Sequence, residues 1–319
     1  MDFAILSSNL TNPTLLFFIL GIVAAVVKSD LEIPAQSVRF ISLYLLFSIG
    51  FKGGQELSHS EPGAEIWNSL LFGLILASVI PFYTFHILRK RLSISDAGAI
   101  SAAYGSVSAV TFVAASGFLE QQHLVFGGHM VAVMALMEAP AIIVGVALKM
   151  KYDKDDGIDS LKSILHHSLT NGSVLLILGS LVIGLISDAK QAEGIKPFTT
   201  DIFKGFLAIF LLEMGITTAR RISAFRKYGW FVALFAIFIP AINGSLAAVL
   251  SGFITSSEGN RFMFAILAAS ASYIAVPAAM KLAAPKADPG LYIPMAIGIT
   301  FPFNITIGMP LYFELIRFT

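Results

Sequence analysis

Seven stretches of this chain run for 19 or more residues without a single Asp, Glu, Lys or Arg: 3–27, 66–88, 97–119, 163–187, 228–257, 262–280 and 289–313. A helix needs about 20 mainly apolar residues to cross the hydrocarbon of a bilayer. Lipid supplies no hydrogen bonds, so a spanning segment must satisfy its own backbone. Runs of this length therefore predict an all-α polytopic membrane protein. Three further apolar stretches are interrupted by charge: 39–52, 121–148 around Glu138, and 200–219 around Lys204 and Glu213. Counting them gives ten transmembrane helices, the second of which is expected to end at the breaker pair Gly53-Gly54. Only 13% of the residues are charged, against about 25% in soluble domains. A net charge of +1 offers no basic surface for nucleic acid, and the absence of cysteine excludes disulfides, thiolate metal sites and a cysteine nucleophile.

Lys and Arg in loops set orientation. With ten spans, the loops near 28–39, 89–91, 149–162, 220–227 and 281–286 lie on one side and hold 15 of the 21 basic residues. That side is expected to be cytoplasmic, in a plasma (inner) membrane, with both termini extracytoplasmic. The first run carries Asp2 and no basic residue ahead of it, so it reads as a retained span rather than a secretory signal.

The chain also carries a repeat. Leu20-Gly21 and Ser29-Asp30 recur as Leu178-Gly179 and Ser187-Asp188, at an offset of 158. Ser106, Ser108, Ala114 and Ala115 recur as Ser270, Ser272, Ala278 and Ala279 at 164, and Pro140 as Pro302 at 162. Five spans per repeat is an odd number, so the second must enter the membrane from the opposite face, as in many secondary transporters. The expected organisation is a first repeat over 1–150, a cytoplasmic linker over 151–168 and a second repeat over 169–319. Asp153 to Gly157 in the linker lacks the spacing of a calcium loop and reads as solvated charge.

Small hydroxyl residues gather in the fourth span, from Ser101 through Tyr104-Gly105-Ser106 to Ser108 and Thr111, and in the ninth, at Ser270, Ser272 and Tyr273 before Pro277. Small residues also serve close helix packing. The recurrence of the cluster at the same step of each repeat favours interrupted helices instead. Broken helices crossing at the midplane aim their partial positive charges at one spot, where N–H groups and hydroxyls bind a small anion while freed oxygens coordinate sodium.

Glu138, in Met137-Glu138-Ala139-Pro140, is an acidic group within a span. Such a group costs about 3 kcal/mol near the bilayer centre and marks a partner or a pathway. It is read as a cation ligand or proton acceptor, against the alternative of a paired structural carboxyl. In the tenth span Thr300, Asn304 and Thr306 surround Pro302 and offer neutral oxygens. The candidate anion site comprises Gly105, Ser106, Ser108, Thr111, Ser270, Ser272 and Tyr273. The candidate sodium ligands are Ser108, Ser272, Glu138, Thr300 and Asn304. Glu213 near Arg220 and Arg221 reads equally as an interfacial ion pair. His86 and His129 read as packed or interfacial histidines, Lys281 as snorkelling, and Trp67 and Trp230 as interface anchors.

From Asn12-Pro13-Thr14 to its end the chain resembles the sodium-dependent bicarbonate transporters of cyanobacteria and the wider permease family around them. The resemblance rests on Gly105-Ser106-Val107-Ser108, Met137-Glu138-Ala139-Pro140-Ala141, Arg221-Ile222-Ser223 with Arg226-Lys227, and the order of Pro277, Pro285, Asp288-Pro289, Pro302 and Pro310. It implies a homotrimer of five-plus-five inverted repeats that imports bicarbonate with Na+, both held where the fourth and ninth helices cross. Glu138 stands where cyanobacterial members carry an aspartate. Tyr273 replaces another aspartate, which bears on sodium stoichiometry and substrate. The linker is shorter than in those members, so a nucleotide-sensing regulatory partner is not implied. The expected function is sodium-coupled bicarbonate import by alternating access. The alternatives are sodium- or proton-coupled transport of another small carboxylate, or an ion channel relaying through Glu138. No metalloprotease motif and no serine–histidine dyad suggests an enzyme.

Overall fold

A computed structural model describes residues 13–59, 63–153, 172–225 and 229–319. Residues 3–12 of the first span, 163–171 of the sixth and most of the expected linker lie outside these, as do the side chains of Arg221 and Lys281. Among the described residues all regular structure is helical. The helices are α1 (Pro13–Val26), α2 (Ala35–Ser58), α3 (Ala64–Leu88), α4 (Ile94–Gly105), α5 (Ala109–Gln121), α6 (His129–Tyr152), α7 (Gly172–Ile186) and α8 (Ala189–Lys196). They continue with α9 (Phe203–Phe225), α10 (Trp230–Leu250), α11 (Glu258–Ala269), α12 (Ala275–Ala283) and α13 (Pro289–Phe318), the last containing π-helical turns at Ala296–Thr300 and Asn304–Gly308. Among the described residues, six helical segments are long and apolar enough to cross a membrane, and α1 and α7 are shorter apolar helices. The protein is a multi-pass membrane protein. Leu71, Val79, Phe82, Phe238 and Leu246 turn outward, as lipid-facing residues do, and Trp67 and Trp230 are exposed at the starts of their helices.

The two most extensive helix pairs, α1 with α9 and α2 with α7, each join the first half of the chain to the second. Both pairs are built on glycine. A Cβ at Gly21 would collide with the Leu212 carbonyl, and one at Gly215 with that of Phe18. Across the other pair, a Cβ at Gly54 would strike the Leu181 carbonyl and one at Gly184 that of Phe51. Backbones approach this closely only where no side chain intervenes. Gly53-Gly54 therefore does not end the second span. The helix runs through it to Ser58, its glycines being seats for Gly128, Val131 and α7. Gln55 fastens the same pair by donating to the carbonyls of Gly184 and Ser187. Gly179, by contrast, faces open space. The close approach in α7 is made instead at Gly184, 163 residues after Gly21.

The remaining helices form a second group, in which α3 and α4 pack on α6 while α10 and α11 pack on each other and on α13. Helices α4 and α11 correspond closely. Each has 12 residues, and Ser93 and Ser257 cap their N-termini by accepting from the Asp96 and Asn260 N–H groups. Each helix also ends at a serine in extended conformation, Ser106 or Ser270. The third helical residue then reaches into the other half. Asp96 Oδ1 accepts from the Asp288 N–H at 2.8 Å, and Asn260 Oδ1 from the Gly127 N–H at 2.7 Å.

Candidate functional site

The chain leaves helical geometry at Ser106–Ser108, between α4 and α5, and at Ser270–Ile274, between α11 and α12. The second interruption precedes Pro277, which sits in the first turn of α12, where a missing N–H costs nothing. Interrupting a buried helix strands backbone groups, and each break supplies partners to the other. The Ser272 N–H donates to the Ala103 carbonyl, in the last turn of α4, at 2.8 Å. The counterpart link, from the Ser108 N–H toward Leu267 in α11, passes through a hydroxyl. Ser270 Oγ accepts from the Ser108 N–H at 3.0 Å and donates to the Leu267 carbonyl at 3.0 Å. Ser108 in turn caps α5, its Oγ accepting from the Thr111 N–H. Gly105 is required because a Cβ there would strike the Pro81 ring.

A cavity of about 10 Å³ opens where the breaks meet, lined by Ser108, Ser272, Tyr273, Glu138 and Ser173 among others. That is room for about one water-sized occupant. Glu138 reaches it from the middle of α6, two residues before Pro140, whose ring prevents donation to the Leu136 carbonyl. Glu138 is 8% exposed, and its Oε2 has no hydrogen-bond partner. Tyr273 donates to Met214 Sδ at 3.7 Å, and its hydroxyl is also within reach of Ser108. Carboxylate and hydroxyl oxygens without a basic residue are a donor set suited to a hard monovalent cation. Among the described residues no three His, Asp or Glu side chains group as a multivalent-metal site.

The structure thus brings Ser108, Ser272, Tyr273 and Glu138 to one cavity. Thr111 is buried in the first turn of α5, and Ser106 is fully buried beside the break with an unpartnered Oγ. Thr300 and Asn304 brace the breaks from behind rather than line the cavity. Pro240, inside α10, cannot donate to the Ala236 carbonyl. Thr300 Oγ1 donates to that carbonyl at 2.8 Å and accepts from the Tyr104 hydroxyl at 2.7 Å, so it ties α10 to the end of α4. Asn304 Nδ2 donates to the Ala269 carbonyl at the end of α11 at 2.8 Å, while its Oδ1 accepts from Tyr312. Thr306 bonds its own helix at Pro302. Glu213 accepts from Thr217 one turn on, and His86 bonds the Phe82 carbonyl of its own helix.

Sequence reasoning missed Ser173, an ordinary serine at the start of an apolar run, and the bracing role of Tyr104. The paired caps Ser93-x-x-Asp96 and Ser257-x-x-Asn260, at the offset of 164, were a legible signal that α4 and α11 correspond.

A family model for the Na+-dependent bicarbonate transporter superfamily matches residues 13–317 of the 319. The chain belongs to that superfamily. A search of individually characterised proteins gave no match. Membership in the superfamily makes the protein a sodium-dependent transporter by class, with a bicarbonate-type small anion as its substrate class.

Proposed function

We propose that the protein imports bicarbonate together with sodium by alternating access, on ten spans arranged as two inverted repeats of five. The single observation that carries this reading is the meeting of two helix breaks around a hydroxyl-lined cavity that contains an unpartnered carboxyl oxygen, in a chain of this superfamily. An unpartnered carboxylate in a buried site is costly, and a sodium ion beside Glu138, Ser108 and Ser272 offsets that cost. The bound cation then compensates the charge of an anion held by the hydroxyls of both breaks.

The repeat reading draws support from reciprocity. The close glycine pair Gly21/Gly215 corresponds to Gly184/Gly54, and the link from Asp96 to Asp288 corresponds to that from Asn260 to Gly127. Two halves of opposite orientation account for such exchanged partners. On this topology the Arg89, Arg91 and Lys149 end is cytoplasmic and both termini are outside. One sodium per bicarbonate makes the cycle electroneutral, and each extra sodium adds about 2.3 kcal/mol per 100 mV of membrane potential.

The test is uptake of labelled bicarbonate into proteoliposomes with and without a sodium gradient. Uptake indifferent to sodium rejects the coupling. Val107, Ile274 and Tyr273 give the cavity apolar walls as well, which favours a small monocarboxylate as the second reading. Competition between bicarbonate and short carboxylates separates the two.

A further inference from the structure

Cations gather where α3 turns into α4. Arg89, Lys90 and Arg91 follow one another there, and Lys90 and Arg91 are exposed. Aromatic rings hold both arginines. The Arg89 guanidinium lies 4.1 Å from the ring centroid of Tyr152, in the last turn of α6. That of Arg91 lies 5.9 Å from the ring centroid of Phe231, in the first turn of α10. Phe85 backs Tyr152 by stacking on it at 5.6 Å. A guanidinium laid on a ring keeps its N–H edge free for oxygen ligands. Asp96, the carboxylate nearest to Arg91 in sequence, is committed elsewhere, accepting from the Ser93 hydroxyl at 2.7 Å and from the Asp288 N–H at 2.8 Å. No ion pair among the described residues involves the three cations.

The same corner presents an apolar surface. Trp230 opens α10 at 84% exposure, one residue before the Phe231 that Arg91 covers. Val79 and Phe82 on α3, and Leu234 and Phe238 on α10, turn outward where lipid lies. The Tyr83 hydroxyl donates to Asn243 Oδ1, so α3 and α10 are joined along their length as well as at this end. Cations beside an outward apolar face match a molecule with an anionic head and hydrocarbon tails. A free phosphate would engage the cations and leave the apolar face unused. A zwitterionic lipid would cover the face and leave three positive charges uncompensated.

We propose that the corner formed by the α3–α4 turn, the end of α6 and the start of α10 binds an anionic phospholipid. Its phosphate is held by Arg89 and Arg91 with Lys90 beside them, its glycerol region lies against Trp230, and its chains run along Phe82 and Phe238. The lipid then joins the ends of three helices in the group that carries both breaks. This rests on the membrane-spanning fold and not on the transport reading above, so neither falls with the other.

The chain supplies its own reporter. It has two tryptophans, and Trp67 lies at the other end of α3, so Trp67→Phe leaves Trp230 alone beside the site. The full chain carrying that change is reconstituted in vesicles of phosphatidylglycerol and phosphatidylcholine, with bromine on the acyl chains of one lipid or the other. Bromine quenches a tryptophan it touches. Phosphatidylglycerol should be selected at Trp230 by about thirtyfold, the scale of two interfacial charges. Adding Arg89→Gln/Arg91→Gln should bring that ratio close to one, whereas Lys190→Gln/Lys196→Gln, on α8, should leave it unchanged.

Equal quenching by the two lipids, or a selection that survives Arg89→Gln/Arg91→Gln, overturns the inference. An equal selection reported by Trp67 in Trp230→Phe also overturns it, since the attraction would then belong to no particular place. Displacement of the lipid by soluble glycerol phosphate does the same, because the corner would then read a phosphate without chains. Should Arg89→Gln/Arg91→Gln not yield folded protein, Lys90→Gln/Arg91→Gln, which alters only exposed side chains, decides in its place.

Discussion

Ser270 and Ser106 occupy corresponding places at the ends of α11 and α4, yet their hydroxyls do different work, and a pair of alanine substitutions separates them. Ser270 is 1% exposed, and its Oγ joins the Ser108 N–H to the Leu267 carbonyl. Ser270→Ala removes both hydroxyl bonds from a buried site. The carbonyl keeps a long bond of 3.4 Å from the Ser270 N–H, so the stranded Ser108 N–H carries most of the cost. An unsatisfied buried amide costs about 1–3 kcal/mol, which puts Ser270→Ala near 2 kcal/mol. Ser106 Oγ is fully buried without a partner, so Ser106→Ala removes an orphaned polar atom and leaves stability unchanged or slightly raised. At roughly 2–4 °C per kcal/mol for a large domain, the two variants are expected to differ in Tm by about 5 °C. The assay is thermal unfolding of the purified, detergent-solubilised full chain. Equal losses in both variants, or a loss confined to Ser106→Ala, refute the relay. Uptake adds a second axis. If the Ser106 hydroxyl serves the anion, Ser106→Ala lowers transport at unchanged Tm.

Gly54→Leu or Gly184→Leu forces the α2 and α7 backbones apart, and the yield of folded protein in detergent, read by size-exclusion chromatography, should fall sharply, whereas Gly179→Leu, which faces open space, should not change it. Thr300→Val keeps the volume but strands the Ala236 carbonyl and the Tyr104 hydroxyl, for an expected loss of about 2–4 kcal/mol in denaturant unfolding; an unchanged midpoint would deny Thr300 its bracing role. Glu138→Gln keeps the shape and removes the charge, so sodium-stimulated uptake should vanish while the protein folds at least as stably. Persistence of sodium stimulation would remove Glu138 from the cation site.

The helical, membrane-spanning character was written in the charge-free runs because lipid punishes every unpaired polar group, and the hydroxyl clusters marked both interruptions for the same reason. Less visible were features decided by backbone proximity. Gly53-Gly54 reads as a breaker by local propensity, yet its role is set by α7, which lies over a hundred residues away along the chain. Leu178-Gly179 resembled Leu20-Gly21 by identity, but Gly179 faces open space, and the close backbone contact in α7 is made by Gly184. Thr300 and Asn304 had the oxygens of cation ligands; the carbonyl freed by Pro240 and the ends of α4 and α11 claimed them first. Ser173 carried no pattern at all, since it acquires meaning only from what stands across the cavity.

The bonds at the breaks also constrain how such a molecule can alternate. In an apolar interior an amide hydrogen bond is worth about 4–6 kcal/mol against no partner, so a cycle that opened both links between α4/α5 and α11/α12 would face a barrier of roughly 10 kcal/mol from these alone. Helix α7 is held mainly to α2, through their close glycine contacts, and helices packed on their neighbours through side chains slide at far lower cost. Under the proposed transport cycle, motion is therefore confined to the boundary between the two helix groups, and the breaks travel with their ligands as one body. A disulfide joining α4 to α11 should be tolerated, whereas one joining α7 to α6 should arrest uptake until it is reduced. Arrest by the first and tolerance of the second would show that the breaks themselves open, and the rigid-body account would be lost.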